Sequence, residues 1–291
     1  MSNLIIKRNG SEIPFKSFVF PSGEVGVKLD VKNSVAFVAK TGVYQLVPYQ
    51  TIIARIQNSN DILELMNLVD ALRRIDATPI NLFLTKIPYA QQDRVCDAGE
   101  SFSLKVFANL INSLNFNRVT VIDPHSNVCD GVLNNLEIIS QFEVVNKWTD
   151  FIGRVLSGVR FLSPDAGSNK KVFEIAKFFG QDFIRADKLR DLSNGDIKET
   201  IVYCEDLNKQ DVCILDDICL GGRTFTEIAK ALKTKNVGKI ILFVTHGVFN
   251  KGTDELFNNG IDEIWTTNSF RKDLTETDKL RILDVDKFIN Y

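Results

Sequence analysis

The chain has 291 residues, 44% hydrophobic and 25% charged, a globular composition sufficient for one large or two medium domains. A formal net charge of −2 and a pI near 5.8 exclude the broad basic field of a nucleic-acid-binding surface, so no nucleic-acid partner is expected. No run of about 18 apolar residues occurs, so no membrane-spanning helix is expected either. The five cysteines, Cys96, Cys129, Cys204, Cys213 and Cys219, lack C-x-x-C spacing and read as reduced thiols rather than zinc ligands. The start, Met-Ser-Asn-Leu-Ile-Ile-Lys-Arg, lacks the apolar core of a signal peptide, which gives a cytoplasmic expectation.

Residues 1–50 alternate short apolar and polar runs, which predicts strands and turns. Residues 61–75 place Ile62, Leu65, Met66, Val69 and Leu72 at helical spacing, with Ser59 or Asn60 as the expected cap. Residues 80–84 read as a strand and residues 101–114 as a helix bearing Leu104, Phe107, Leu110 and Ile111. Residues 119–122 read as a strand ending at Asp123-Pro124-His125. The second half repeats this grammar. Strand 160–162 ends at Ser163-Pro164-Asp165-Ala166-Gly167 and leads into a helix with Val172, Ile175, Ala176 and Phe179. Strand 212–215, helix 225–232, strand 240–245 ending at His246-Gly247, and strand 261–266 follow. Such alternation predicts α/β architecture. The expected organisation is two similar α/β domains with mostly parallel sheets, residues 1–145 and 146–291, joined near 140–155. Ligands of open parallel sheets sit beyond the C-terminal strand ends, where Asp123, His125, Asp165, Asp216, Asp217 and His246 all fall.

Residues 212–226 carry the most chemistry. An apolar run ends in Asp216 and Asp217, a Gly221-Gly222-Arg223-Thr224 turn follows, and a helical pattern begins at Phe225. Amides of a glycine-rich turn at a helix start form an anion cradle. Two carboxylates beside it can hold ribose hydroxyls or Mg²⁺. A phosphate and a sugar diol together point to a ribose phosphate, and the segment resembles the ribose-phosphate loop of the type I phosphoribosyltransferase fold. Residues 86–105 form a long polar stretch between a predicted strand and helix, uncommon without a function.

That stretch contains Pro88-Tyr89-Ala90, Gln92-Asp93-Arg94 and Gly99-Glu100, and Lys105-Val106-Phe107-Ala108-Asn109-Leu110 continues from its end. With Phe20-Pro21-Ser22-Gly23-Glu24, Asp123-Pro124-His125-Ser126, Ser163-Pro164-Asp165-Ala166-Gly167 and Thr245-His246-Gly247, in order from about residue 15 to 285, it resembles the ribose-phosphate diphosphokinases, also called phosphoribosyl pyrophosphate synthetases. The resemblance implies two type I phosphoribosyltransferase-like domains, the first with the ATP loop and the second with the ribose-phosphate loop. It implies Mg²⁺-dependent transfer of the β,γ-diphosphate of ATP to the anomeric hydroxyl of a 5-phosphorylated ribose, by default ribose 5-phosphate, with AMP leaving.

By motif position, the resemblance makes His125 and Asp165 ligands of Mg²⁺ or its waters, with His125 also at the ATP site and counted among the catalytic residues. Phe20 and Glu24 would meet adenine from a neighbouring subunit of a dimer or hexamer, and Gln91, Gln92 and Asp93 would line the ATP site. Lys188 and Arg190 match the catalytic flap, Asp216 and Asp217 the ribose hydroxyls, and Gly221, Gly222, Arg223 and Thr224 the 5-phosphate. Positioning and charge neutralisation dominate such a transfer.

Two features depart from the family, one in the ATP loop and one in the ribose-phosphate loop. Gln91 stands where Arg is common; Leu220 replaces a third acid, and Arg223 adds a cation. Arg suits diphosphate oxygens, so ADP-ribose is the alternative acceptor, giving ADP-ribose pyrophosphate in a pathway that rebuilds NAD. A phosphoribosyltransferase would share residues 216–224 but not the Pro-Tyr-Ala-Gln-Gln-Asp-Arg and Phe-Pro-Ser-Gly-Glu segments. A non-catalytic homologue would not need Lys188, Arg190, His125 and Asp165.

Overall fold

The structure is a computed structural model that describes residues 2–8, 10–30, 50–75, 78–190 and 197–289. The chain divides into two compact units, Met1–Ile139 with Asp286–Tyr291, and Ser140–Val285. The first unit thus ends before residue 145 and takes back the chain's last residues. In it, Asp286 pairs with Lys7 at 3.2 Å and with buried Arg55 at 3.4 Å.

The first unit contains β1 (Leu4–Arg8), β2 (Ser11–Ile13), β3 (Phe15–Val19), β4 (Val25–Leu29), β5 (Gln50–Ala54), α1 (Ser59–Arg73), β6 (Ile80–Leu84), α2 (Ser103–Ser113), β7 (Arg118–Ile122), α3 (Val128–Val132) and β8 (Leu136–Ile139). Its six-stranded sheet has the order β2-β1-β5-β6-β7-β8. Strands β5 to β8 are parallel, and β1 joins β5 antiparallel. Every residue of β5 and β6 is buried, as parallel strands covered on both faces require. Leu65, Leu68 and Leu72 of α1 and Leu104, Phe107 and Ile111 of α2 fill the core over Ile52, Leu82 and Val121. Helix α1 starts earlier than its periodicity suggested. Its cap is Asn58, whose side chain accepts from the Asn60 and Asp61 amides, while Asp61 accepts from the Asn58 amide at 3.1 Å. That reciprocal capping box outcompetes a cap at Ser59 or Asn60. Strands β3 and β4 form a separate antiparallel ribbon.

The second unit contains α4 (Gln141–Lys147), α5 (Thr149–Leu156), β9 (Val159–Ser163), α6 (Asn169–Phe178), β10 (Phe183–Arg190), β11 (Ile197–Val202), β12 (Asp211–Cys219), α7 (Arg223–Lys233), β13 (Ile240–Gly247), α8 (Asp254–Asn258), β14 (Glu263–Thr267) and β15 (Leu280–Leu283). The stretch expected to join two domains is thus two short helices. Its seven-stranded sheet has the order β11-β10-β9-β12-β13-β14-β15, with β11 alone antiparallel to its neighbour. Among the parallel strands the chain visits β9, steps out to β10, then returns past β9 to β12. Strand order therefore reverses between β9 and β12, the kind of switch point where open sheets bind ligands. Trp148 and Phe151 cover one face of this sheet against Phe243 and Trp265, with ring centroids 4.7–6.4 Å apart. Phe225, Ile228, Ala229 and Leu232 of α7 join the other core cluster. No helix among the described residues is long and apolar enough to cross a membrane.

Candidate functional site

The switch point in the second unit brings three acids together. Asp165 follows β9 directly, and its Oδ1 accepts from the amides of Gly167 and Ser168 at 3.1 and 3.2 Å, shaping the turn into α6. Asp216 and Asp217 lie within β12, which continues to Cys219 rather than stopping before them. The extension is held by pairing with β13 as far as Cys219 with Gly247. Asp217 is buried, and its amide donates to Asp216 Oδ1 at 3.0 Å. Burial, then the neighbouring Asp217 and Asp165, push the Asp216 carboxyl well above the usual carboxylate range. Such crowding is relieved by a cation or by hydroxyl donors. Among the described residues no group of three or more His, Cys, Asp or Glu side chains is arranged to hold a metal ion alone. Mg²⁺ is usually held by one or two carboxylates together with substrate phosphates, and this donor set fits such a shared ion.

The loop after β12 leads into a helix start that no side chain caps. Gly222 caps α7 at φ +80°, with no side-chain cap bond and no acid in the first helical turn. Helix starts favour negative charge; here Arg223 and Thr224 occupy the first turn instead. A Cβ on Gly222 would meet Leu256 Cδ2 at 2.8 Å, so any other residue would strain the left-handed backbone and have to displace the Leu256 side chain. The loop after β13 braces this one. The amides of Val248 and Phe249 donate to the Cys219 carbonyl at 3.0 and 3.1 Å, and that of Asn250 to the Leu220 carbonyl at 3.0 Å. Lys251 comes with it: a Cβ built on Gly221 lies 3.8 Å from Lys251 Cε and 3.4 Å from Asn250 Oδ1. His246 is a buried residue of β13 whose Nδ1 meets Ser269 Oγ at 2.8 Å, a bond that ties β13 to the chain beyond β14.

The first unit carries its expected residues on more exposed elements. Phe20 and Glu24 form the tip of the β3–β4 ribbon, closed by Phe20 N–H to Glu24 O at 2.8 Å and Gly23 N–H to Phe20 O at 2.8 Å. Phe18 and Phe20 meet edge to face at 5.0 Å on the ribbon, both exposed. Gln91 and Gln92 are exposed, and Asp93 is half-buried with Arg94 3.9 Å away. Their loop is shaped by Glu100, which accepts from the amides of Cys96 and Asp97 at 2.8 and 3.1 Å. Those two bonds hold the Glu100 carboxyl below its ordinary value. His125 is exposed just past β7, beyond buried Asp123, whose φ of +35° turns the chain there.

Lys188 and Arg190 belong by backbone to β10, where Lys188 pairs with Thr200 and Arg190 with Ile197 of β11. A ribbon, rather than a simple turn, carries them; residues 191–196 lie outside the described set. Gln141, Asn250 and Lys251 also reach the loop of the second unit and carried no motif. A signal existed for Gln141: Ser140-Gln-Phe-Glu143 is a capping-box sequence, and the box forms, with Ser140 N–H donating to Glu143 Oε2 at 2.7 Å. All five cysteines are unpaired. Burial raises the thiols of Cys129 to about 11 and Cys219 to about 12.

Comparison with known proteins accounts for most of this chain. Residues 7–114 match the family model of the N-terminal domain of ribose phosphate pyrophosphokinase, and residues 190–290 that of the phosphoribosyl synthetase-associated domain. A ribose-phosphate pyrophosphokinase of Mycoplasmopsis pulmonis is 30% identical over 202 residues, 67% of this chain and 60% of that protein. One from Sulfolobus acidocaldarius is 27% identical across 99% of this chain and 94% of its own length. The crystal structure of phosphoribosylpyrophosphate synthetase from Mycobacterium smegmatis has the same fold, with a TM-score of 0.75 at 19% identity, covering 96% of this chain and 88% of that one.

Proposed function

The chain belongs to the ribose-phosphate pyrophosphokinase family of ATP-dependent diphosphokinases, and we propose that it passes the β,γ-diphosphate of ATP to the anomeric hydroxyl of ribose 5-phosphate. The observation that carries this reading is the crowded acid group Asp165, Asp216 and Asp217 beside an uncapped, glycine-started helix whose first turn bears Arg223 and Thr224. The acids suit a ribose diol and the loop suits its phosphate. In the reaction the anomeric hydroxyl loses its proton to solvent as its oxygen bonds to the β-phosphorus, the bond from that phosphorus to the α,β-bridging oxygen breaks, and its electron pair leaves with AMP.

Asp216 and Asp217 orient the diol, while Gly221, Gly222, Arg223 and Thr224 hold the 5-phosphate. Lys188 and Arg190 offset charge developing on the leaving AMP. Gln91, Gln92, Asp93 and His125 serve ATP, and Phe20 and Glu24 its adenine. Mg²⁺ would neutralise phosphate charge, with Asp165 of the second unit and His125 of the first each a candidate for it, directly or through waters. The exposed aromatic ribbon tip supports a homo-oligomer, in which it meets a neighbouring subunit's nucleotide. Light scattering tests this: a monomer with full turnover contradicts it. A cytoplasmic setting agrees with five unpaired thiols. Chromatography of nucleotides after incubation with ATP, Mg²⁺ and sugar tests the reaction. AMP is the expected product; ADP as the sole product overturns the reading.

One observation favours a second acceptor, ADP-ribose. The Lys251 side chain approaches Gly221, exposed Arg223 opens the helix that follows, and Leu220 is an exposed apolar residue of the same loop. A terminal monophosphate does not need all three; a second phosphate and a nucleoside would use them. Specificity constants for the two sugars decide between them, and strong preference for ribose 5-phosphate removes ADP-ribose.

A further inference from the structure

Strand β12 runs past the end of β9: its last pairing there is Ile214 with Leu162, while pairing with β13 continues to Cys219. The acid pair sits on this extension, which has a strand on one side only. Gln141 supplies a bond from another direction. Its Nε2 donates to the Asp216 carbonyl at 2.5 Å and lies 3.4 Å from Thr245 Oγ1 on the neighbouring strand. Gln141 is 1% exposed, and its Oε1 is buried without a hydrogen-bond partner. An unmet buried acceptor is costly and calls for a reason. The reason here is the other end of the amide, which ties together the strand ends that frame the acids. The capping box of α4 fixes the side chain's origin: the Ser140 amide bonds Glu143 Oε2, and Ser140 Oγ accepts from the Glu143 amide at 3.3 Å. A neutral donor is also the right chemistry, because any added negative charge would crowd Asp216 further.

We propose that Gln141 is a positioning residue for sugar binding, holding the Asp216 main chain so that the Asp216–Asp217 pair is set for a ribose diol. The proposal rests on the sugar-binding role given above to that pair. Gln141→Met keeps the volume and removes the donor; Gln141→Glu replaces the donor with a fourth carboxyl. Two measurements apply to each full-length variant. Hydrogen exchange of the free protein reads the strand end: in Gln141→Met the amides of residues 216–222 exchange about tenfold faster, with the centre of β13 unchanged. Steady-state kinetics with ATP and ribose 5-phosphate read function: the KM for the sugar rises about tenfold, as for one lost hydrogen bond, and the KM for ATP stays within about twofold. Gln141→Glu loses more than Gln141→Met on the sugar side. A sugar KM unchanged in Gln141→Met, or two KM values rising together, overturns the proposal. If the unmodified protein makes no AMP from these substrates, the functional reading fails instead; unchanged exchange at 216–222 then still refutes the hold of Gln141 on the strand end.

Discussion

The two units share a strand–helix grammar but offer ligands different kinds of surface. In the first, β5, β6, β7 and β8 lie side by side in chain order, and the residues assigned to ATP sit on an exposed loop and a two-stranded ribbon. In the second, strand order reverses between β9 and β12, and the acids sit on the strands themselves or one turn beyond. The contrast separates adaptable from preorganised recognition. The loop around Gln91–Asp93 is held by local bonds, Gln92 N–H to Tyr89 O, Leu104 N–H to Gln92 O and the Cys96 and Asp97 amides to Glu100, whereas the 216–222 segment is braced by β13, by Gln141 and by the amides of residues 248–250. Sugar recognition should therefore be coupled to fold stability, and ATP recognition should not.

The largest expected effect lies on the β10–β11 ribbon beside the switch point. Lys188→Ala and Arg190→Ala should each lower kcat by about 10²–10³ with little change in ATP affinity, because contacts made in the transition state register in turnover. Rapid-quench turnover with separate nucleotide-binding titrations checks this, and near-normal turnover removes that residue from the chemistry.

Next comes Asp216→Asn. It replaces a carboxyl proposed to hold the sugar diol and should cut kcat/KM for the sugar by about 10- to 100-fold. It should also raise Tm at neutral pH. The folded Asp216 carboxyl titrates above its unfolded value, so the folded state binds the extra proton and stability falls as pH rises through that window. The neutral amide escapes this loss, and the Tm gain should vanish near about pH 4, where the native carboxyl is also protonated. Thermal melts across pH settle the sign; a destabilised variant at neutral pH would break the claim that these acids are crowded.

Gly222→Ala should cost about 1–2 kcal/mol from the left-handed backbone alone, and more if Leu256 cannot move away from the new methyl group. Melting temperature should fall and the sugar KM rise together, with the ATP KM unchanged. Glu100→Gln gives the smallest effect: a modest rise in the ATP KM with no change in melting temperature, since Glu100 is exposed and bonds only its own loop. A melting change comparable to that of Gly222→Ala would erase the contrast between the units.

Much of this was legible in the residues. Apolar runs such as Ile80–Leu84 and amphipathic stretches such as α7 gave the alternation, and glycine after paired acids marked the turn into α7. What escaped has physical causes. Strand β12 reads as ending at Leu215 because two carboxylates look like solvent, yet β13 pairs with the strand through both of them. Strand β10 was hidden because Asp187-Lys188-Leu189-Arg190 looks like a charged turn, although its ladder partner is an antiparallel neighbour visible only in three dimensions. Gln141 escaped because the capping-box sequence around it marks only a helix start; its meaning comes from the carbonyl it meets 75 residues later.

The central claim is diphosphoryl transfer to a sugar recognised by the second unit. Its most direct test incubates the protein with Mg²⁺ and ATP labelled in both the β and γ phosphates, with ribose 5-phosphate and ADP-ribose in parallel, and weighs the products by mass spectrometry. The account predicts AMP in equal amount to a sugar product carrying both labelled phosphates. ADP with a singly phosphorylated sugar, or AMP with free pyrophosphate formed regardless of either sugar, would contradict it.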